Sequence, residues 1–197
     1  MKSGMNVPSK LPSKLFKDEK EWAAWLDKNQ ATSLGLWLRI AKKKTADVKS
    51  VTYAEALEIA LCYGWIDGQK RSCDEFTWLQ KFTPRGARSI WSAVNREKAV
   101  ELIRNGRMTP AGLKAIERAK ENGQWAAAYE SQSKITLPED FQTELDKNER
   151  AKAFFTSLNR ANRYAILFRL QTAKKPETRV KRLRQFIVML EKHEKFH

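Results

Sequence analysis

The positions of the apolar side chains predict a helix and a strand near the start of the chain. A helix is expected at Asp18–Asn29, because an acidic cap precedes tryptophan and leucine side chains at helical spacing. Further on, Leu36, Leu38 and Ile40 alternate with residues of other types, which is the pattern of a strand with one buried face. A basic loop is expected at residues 42–50.

Capping signals predict a second helix. Thr52 and Glu55 stand three residues apart and form the signature of a capping box at its start. Gly64 marks its end, because glycine accepts the left-handed conformation that commonly terminates a helix. The alanine and leucine side chains in between recur at helical spacing and provide an apolar face.

An antiparallel hairpin is expected directly after this helix. Residues 65–71 and 75–82 alternate as two strands around a short polar turn. In the second strand the alternation puts Phe76, Trp78 and Phe82 on one face of the sheet.

Six more helices are expected in the remainder of the chain. Pro110 and Pro176 each stand at the first position of one of them, where the missing N–H of proline does no harm. The helix that begins near Asn95 has an apolar stripe of Ala99, Val100, Leu102 and Ile103. The last helix has an apolar stripe of Val180, Leu183, Ile187 and Leu190.

These elements predict an α+β fold class. The expected protein is helix-rich, with a small antiparallel sheet that includes the hairpin in the N-terminal part and a helical bundle in the C-terminal part. All seven tryptophans lie within the first 125 residues, which indicates two differently built parts. The polar stretch 131–138 ends in proline and is the expected joint. The predicted division is a disordered N-terminus at 1–15, an α+β domain at 16–130 and a helical domain at 138–197.

Charge and composition narrow the range of partners. The chain has 197 residues and a formal net charge of +15, which attracts nucleic acid, anionic surfaces or anionic small molecules. Its two cysteines and two histidines lack metal-ligand spacing, so neither a metal nor a cofactor is expected. No apolar run could span a membrane and no secretory signal is recognisable, so a cytoplasmic protein is expected. The sequence leaves a protein partner and the oligomeric state open.

Two neighbouring segments predict a site for an anionic small molecule. Residues 83–92 combine arginine, serine and glycine ahead of a helix, and such groups bind phosphate or carboxylate. Tryptophans on either side would form the walls of this site, and an aspartate would orient one arginine. Alternatively, the arginines pair with nearby carboxylates and only pin the hairpin to the helix. The candidate ligand-binding residues are Trp65, Asp67, Arg85, Arg88, Ser89, Trp91 and Asn95.

Little in the chain predicts catalysis. Asp67 lies beside a glycine and near a tryptophan, and it could act as a general base or accept hydrogen bonds in a turn. No serine or cysteine has a histidine close in sequence, because both histidines lie in the last five residues. The Walker spacing for phosphate binding is also absent. The residues therefore favour a non-enzymatic binding protein, and no catalytic residue is assigned.

A basic cluster near the C-terminus points to an alternative function. Lys174, Lys175, Arg179 and Arg182 could form a stripe that binds nucleic-acid phosphates. The other interpretation is a solvated outer face of the last helix.

Taken together, the motifs resemble the YdeI/OmpD-associated family, whose members are often described as bacteriocin-protection proteins. The resemblance covers nearly the whole chain beyond residue 15. It departs at Tyr63, where phenylalanine is more usual, and at Gly86-Ala87, where a lysine is usual. The matching stretches are Phe16 with Trp22 and Trp25-Leu26, Thr52 to Ala56, Ala60 to Gly68, Phe82 to Arg85, Ser89 to Ser92 with Asn95, Gly106 to Gly112, Phe154 with Leu158, and Ala173 to Arg179 with Arg182.

This resemblance implies a role in stress and in resistance to bacteriocins and other antimicrobial peptides, without implying a reaction or a ligand. Part of the family is described as periplasmic, which differs from the cytoplasmic location expected here. Like charge would repel cationic peptides from so basic a protein, so an anionic ligand is expected instead. The leading hypothesis is a non-enzymatic binding protein for an anionic ligand. The alternative is a nucleic-acid-binding protein that uses the C-terminal basic helices.

Overall fold

The structure of the protein is a computed structural model that describes residues 11–43 and 48–196. Its sheet includes a strand in which buried apolar residues alternate with more exposed ones. In the described residues the elements follow in the order β1 (Ser13–Leu15), α1 (Glu19–Asn29), β2 (Leu36–Ala41), α2 (Tyr53–Cys62), β3 (Trp65–Ser72), β4 (Thr77–Pro84), α3 (Ala93–Arg104), α4 (Pro110–Glu121), α5 (Glu139–Asp146), α6 (Glu149–Ser157), α7 (Arg160–Gln171) and α8 (Pro176–Glu191). The predicted α+β fold class is confirmed.

The four strands form one mixed sheet in the order β1-β2-β4-β3. β4 lies between β2 and β3 and is antiparallel to both, whereas β1 adds to the edge of β2 in parallel. The register of β3 on β4 shifts between Asp67 and Lys70, which marks a bulge. The side-chain amide of Gln80, which is buried, donates to the carbonyl of Gly68 at 2.9 Å. This hydrogen bond gives the Gly68 carbonyl, which lies in the bulge, a partner.

One face of the sheet packs on α1 and α2 through a cluster of aromatic rings. Trp22 stacks on Trp25 with 5.5 Å between ring centroids, and both meet the edge of Trp65. Phe82 of the central strand lies 5.7 Å from Trp22. The indole N–H of Trp22 donates to the carbonyl of Ala56 at 3.1 Å, so the ring is both buried and hydrogen-bonded.

The end of α2 requires two glycines. Gly64 has a φ of +70°, the left-handed conformation that terminates a helix and that other residues adopt only with strain. Gly112 lies in the first turn of α4, and a Cβ there would overlap the carbonyl of Cys62 and the sulfur of Met108. This close approach lets α4 pack directly on the end of α2.

The four C-terminal helices enclose a separate apolar core. Leu145, Ile166, Leu170 and Leu190 are almost completely buried in it. Phe141 and Phe155 meet edge to face with 5.4 Å between centroids. Because one helix shields only one stripe of side chains, this core requires all four helices together.

By its internal contacts the chain forms two compact units. The first unit is Met1–Ser89 with Glu97–Trp125, and the second unit is Ile90–Arg96 with Ala126–His197. Residues 90–96 thus group with the helical part, although the predicted α+β domain includes them. The predicted domain limits at residues 130 and 138 stay a prediction.

Several details differ from the sequence pattern. Ser13–Leu15, assigned to the disordered N-terminus, forms strand β1, whereas residues 1–10 lie outside the described residues. The predicted basic loop at 42–50 also lies partly outside them. Phe76 precedes β4 and is 46% exposed, because the strand begins one residue later.

Helix stripes predicted from single-residue spacing are also partly wrong. Val100 and Ile103 of α3 are 44% and 40% exposed, and Val180 of α8 is 48% exposed. Phe186 of α8, which is not part of the predicted stripe, is buried in the helical core instead. Within the described ranges, no helix has both the length and the apolar character needed to cross a bilayer.

Candidate functional site

The second unit contains a cavity of about 500 Å³. We call it the α7 cavity; it is lined by Gln132, Ile135, Leu137, Phe155, Arg160, Arg163, Tyr164 and Leu167. Its lining combines two arginines and a tyrosine with four apolar side chains and contains no carboxylate. A volume in this range is typical of sites for small organic molecules.

The start of α7 positions the polar side of the cavity. Asn159 caps the helix, and its side chain accepts a hydrogen bond from the N–H of Asn162 at 2.9 Å. Arg160 and Arg163 follow at a spacing of three residues, so they project from the same side of the first turn. The positive end of the helix dipole adds to their charge.

The segment before α5 forms the opposite wall. The N–H of Ile135 donates to the carbonyl of Ser131 at 2.9 Å, which closes a turn over residues 131–135. Arg160 donates to the carbonyl of Gln132 at 3.4 Å, a long hydrogen bond that leaves most of its guanidinium donors available. Among the described residues, Arg163 has neither an ion-pair partner nor a hydrogen-bond partner for its side chain.

Tyr164 stands between the polar and apolar walls of the cavity. Its hydroxyl donates to the carbonyl of Glu130 at 3.3 Å. Burial, together with the neighbouring Tyr129, raises the pKa of Tyr164 above the ordinary tyrosine value. The phenol therefore stays protonated at neutral pH, and its oxygen can still accept a hydrogen bond from a ligand.

The first unit contains a smaller cavity of about 270 Å³ between α1, the end of α2 and the loop before α4. Its arginine, Arg107, is already paired with Glu58 at 3.1 Å, and Lys98 pairs with the same carboxylate. Hydrogen bonds from Lys98, opposed by burial, lower the pKa of Glu58. The lining also contains the carboxylate of Glu19 beside the ammonium of Lys20. Because a carboxylate lines this cavity and its arginine is already paired, it is a weaker anion site than the α7 cavity.

Of the ligand-binding residues predicted from the sequence, Trp65 and Asp67 make contacts that stabilise the fold of the first unit. Trp65 is 1% exposed and belongs to the aromatic core under the sheet, so it does not line either cavity. Asp67 accepts a hydrogen bond of 2.8 Å from the hydroxyl of Tyr53. This contact joins β3 to the first turn of α2.

Arg85, Arg88 and Ser89 occupy the turn after β4. Arg85 is only 5% exposed, its N–H donates to the carbonyl of Gly64, and its carbonyl accepts from Arg118. The hydroxyl of Ser89 accepts from the N–H of Gly86 at 3.1 Å, whereas Arg88 is exposed. The backbone and hydroxyl contacts therefore stabilise the turn itself.

Trp91 and Asn95 belong to the second unit. The carbonyl of Trp91 accepts from the N–H of Tyr129 at 2.9 Å, and its ring is 2% exposed. The N–H of Asn95 donates to the hydroxyl of Ser92 at 3.1 Å at the start of α3. The hypothesis that all seven residues share one ligand stays a prediction.

The predicted nucleic-acid residues divide into two pairs. Arg179 binds Asp140 and the carbonyl of Leu170, and Arg182 donates to the carbonyl of Arg169. Both guanidinium groups thus satisfy carbonyls near the end of α7 and hold α8 to it. Lys174 and Lys175 are exposed in the turn between the two helices.

Arg160 and Arg163 are not among the site residues predicted from the sequence. Their spacing after a helix cap was a readable signal, but the cavity also needs side chains from residues 132–137 and from α6. Within residues 11–43 and 48–196, no group of three His, Cys, Asp or Glu side chains is arranged to hold a metal ion.

Comparisons with known proteins identify two regions. Residues 14–115, more than half of the chain, match the model of a family described as a domain of unknown function (DUF8412). Residues 134–193 match the model of the family described as bacteriocin-protection, YdeI or OmpD-associated, which confirms the resemblance over that part. No curated protein and no solved structure matches the chain.

Proposed function

This chain belongs to the family described as a domain of unknown function (DUF8412), and we propose that it is a non-enzymatic binding protein whose α7 cavity holds a small amphipathic anion. The observation that carries the proposal is the lining of that cavity: two arginines, no carboxylate and an apolar floor in about 500 Å³.

The lining suggests which part of a ligand goes where. Arg160 and Arg163 would bind a carboxylate, sulfonate or phosphate, because guanidinium groups offer paired donors to such oxygens. The apolar part of the ligand would lie on Ile135, Leu137 and Leu167, which exclude water from it. The protonated hydroxyl of Tyr164 lies between these two regions.

Seven of the eight lining residues of the cavity, all except Gln132, lie within the region that matches the bacteriocin-protection family. A role in resistance to antimicrobial peptides and in stress is therefore part of the proposal. The net charge of +15 argues against direct capture of a cationic peptide. We propose instead that the protein acts through an anionic small molecule.

Two fluorescent probes of nearly the same shape test the proposal. 8-Anilinonaphthalene-1-sulfonate carries an anionic head, whereas N-phenyl-1-naphthylamine lacks it. Both are titrated against the full chain, against Arg160→Ala/Arg163→Ala, and against Arg150→Ala/Arg184→Ala. The last variant removes two exposed arginines of the same unit that do not line the cavity, so it loses the same charge.

We expect the cavity variant to weaken binding of the sulfonate about tenfold, equivalent to about 1.4 kcal/mol, and to leave the neutral probe within about twofold. The control variant should change neither probe by more than about twofold. Ile135→Ala should weaken both probes, because the half-buried isoleucine contacts the part that they share. Circular dichroism checks that each variant keeps its helix content.

Equal loss of the sulfonate in the control and cavity variants would mean that only net charge matters and would refute the proposed site. Equal loss of both probes in the cavity variant would mean that the arginines do not contact the anionic head.

A further inference from the structure

The sheet has a second face that α1 and α2 do not cover. Alternation along the strands directs Leu36, Leu38 and Phe82 toward the aromatic core, where all three are fully buried. The alternate residues point the other way. We call this the outer sheet face; its cations and large apolar side chains are Trp37, Arg39, Ile66, Arg71, Leu79 and Lys81, and the same alternation also puts Ala41, Thr77 and Thr83 on it.

The outer sheet face is accessible and combines three cations with large apolar side chains. Of these side chains, Arg71 is exposed and the other five are half-buried. An antiparallel sheet with one face on the core normally presents uncharged polar or mixed-charge residues on the other. Here the register puts Trp37 directly opposite Lys81, and Arg39 opposite Leu79, so cations and apolar side chains lie side by side.

Arg71 and Trp37 form a stack on this face. Arg71 lies on edge strand β3 and reaches across β4, so that its Cζ is 4.4 Å from the centroid of the Trp37 ring on β2. This cation–π contact holds the flat guanidinium over the indole. The other surface of the guanidinium is left as a flat, cationic platform.

Two further cations flank the stack. Lys81 has no ion-pair or hydrogen-bond partner for its ammonium group among the described residues. Arg39 pairs with Asp74 at 2.7 Å, and its side chain is 39% exposed. In the part of the chain that the structure describes, Asp74 is the one carboxylate that pairs with a cation of this face. The outer sheet face therefore has a net positive charge.

We propose that the outer sheet face binds single-stranded nucleic acid. A base would stack on the guanidinium plane of Arg71, which continues the stack begun by Trp37, since bases stack on both aromatic rings and arginine planes. The ammonium of Lys81 would contact a neighbouring phosphate. The charge of +15 supplies the long-range attraction that such binding requires.

Single strands fit this surface better than the other polyanions. A duplex hides the faces of its bases in its own stack, so it could use only the cations. An acidic peptide offers charge without planar rings. The outer sheet face is also distinct from the C-terminal basic cluster, in which Arg179 and Arg182 already bind groups of their own unit. Binding at the outer sheet face does not depend on the α7 cavity.

Fluorescence anisotropy of a labelled oligo-dT of about 12 nucleotides tests the proposal, a length within the site size of known single-strand binders. Competitors are a duplex of the same length and poly-glutamate. Titrations at about 50 mM and about 200 mM salt measure the electrostatic part. The variants are Arg71→Lys, Trp37→Leu and Arg104→Ala.

Arg71→Lys retains the charge but loses the plane, and we expect it to weaken oligo-dT binding about tenfold with an unchanged salt dependence. Trp37→Leu should weaken it by a similar factor, because the guanidinium loses its support. Arg104→Ala removes an exposed arginine at the end of α3 and should change affinity less than about twofold. Thermal melts verify that the variants are folded.

Four results would overturn the proposal: no binding of oligo-dT at low salt, competition by the duplex as strong as by unlabelled single strand, competition by poly-glutamate of equal strength, or an Arg71→Lys affinity equal to that of the wild type. The expected combination of single-strand preference and dependence on the flat side chain would support it.

Discussion

Arg179 offers a sharp test of whether a conspicuous basic residue is structural or functional. Its Nε and Nη2 donate to the two carboxylate oxygens of Asp140 at 2.6 and 2.7 Å, and its Nη1 donates to the carbonyl of Leu170 at 2.8 Å. One side chain of α8 thus holds both α5 and the end of α7. Replacing it with alanine removes all three hydrogen bonds.

The size of the effect follows from this geometry and from exposure. Hydrogen bonds to charged groups stabilise proteins by about 1.5–3 kcal/mol, whereas exposed ion pairs contribute about 0.2–1 kcal/mol. The Arg179 and Asp140 side chains are 30% and 43% exposed, so solvent screens the pair partly. We expect Arg179→Ala to lower the free energy of unfolding of the second unit by about 1.5–2 kcal/mol.

Urea unfolding followed by circular dichroism measures this change. Tryptophan fluorescence reports mainly on the first unit and provides an internal reference, because six of the seven tryptophans belong to it and only Trp91 belongs to the second unit. Arg179→Lys should recover less than half of the loss, since an ammonium cannot make the two-pronged contact. Lys175→Ala, one helix turn earlier and exposed, should leave stability within about 0.5 kcal/mol.

The pH dependence has a definite sign. Hydrogen bonds from Arg179 hold the pKa of Asp140 below its usual range, so the folded state binds the proton less tightly than the unfolded state. The stabilisation is complete above about pH 4, the ordinary aspartate pKa, and is lost as the pH falls through the lowered value. Wild type and Asp140→Asn should therefore converge in stability in acid. An Arg179→Ala variant as stable as wild type would refute the structural role and return the residue to the nucleic-acid hypothesis.

Four further predictions concern Gly112, Thr52, Arg85 and Asp74. Gly112→Ala should lower stability by about 2–3 kcal/mol, measured in a thermal melt, because its Cβ would overlap backbone. Gly86→Ala should be neutral, because its Cβ would make only an ordinary contact of 4.0 Å with the Ser89 hydroxyl. Equal melting temperatures of the two variants would contradict the close packing at Gly112. Thr52→Ala removes the capping box of α2 and should cost about 1 kcal/mol in urea unfolding; no change would mean that the cap contributes nothing. Arg85→Ala should lower stability by about 2 kcal/mol because the side chain is buried, and an unaltered melt would revive its assignment as a ligand residue. Hydrogen bonding lowers the pKa of Asp74 to about 2, so an acid titration by circular dichroism should reveal a loss of stability between about pH 4 and pH 2 that is absent in Asp74→Asn, and identical curves would contradict it.

Local chemistry explains which elements the sequence could predict. The capping box of Thr52 and Glu55 is a contact between residues three apart, so the start of α2 was readable and is confirmed. Strand β1 could not be predicted, because its three residues are too few to show an alternation. It forms by pairing with β2, a contact between residues distant in the sequence. Phe186 likewise replaces Val180 in the helical core, because the neighbouring helices decide which stripe of α8 is buried.

The candidate site depended on tertiary structure to a greater degree. The sequence around Trp65 is rich in tryptophan and glycine. It could not distinguish a pocket wall from a core, and Trp65 is in the core. The α7 cavity was harder to foresee, because its cations come from the first turn of α7, whereas most of its apolar lining comes from a loop before α5 and from α6.

The pairing of residues 90–96 with the helical unit has a practical consequence for anyone who cuts this gene into pieces. Ser92 pairs with Tyr129 in a short parallel bridge, and the N–H of Ala93 donates to the carbonyl of Tyr129 at 2.8 Å. A fragment expressed from residue 126 onward would carry Tyr129 with its backbone edge stripped of these partners. Recombinant versions of the C-terminal half should therefore retain the 90–96 peptide, supplied as a tethered segment or added in trans.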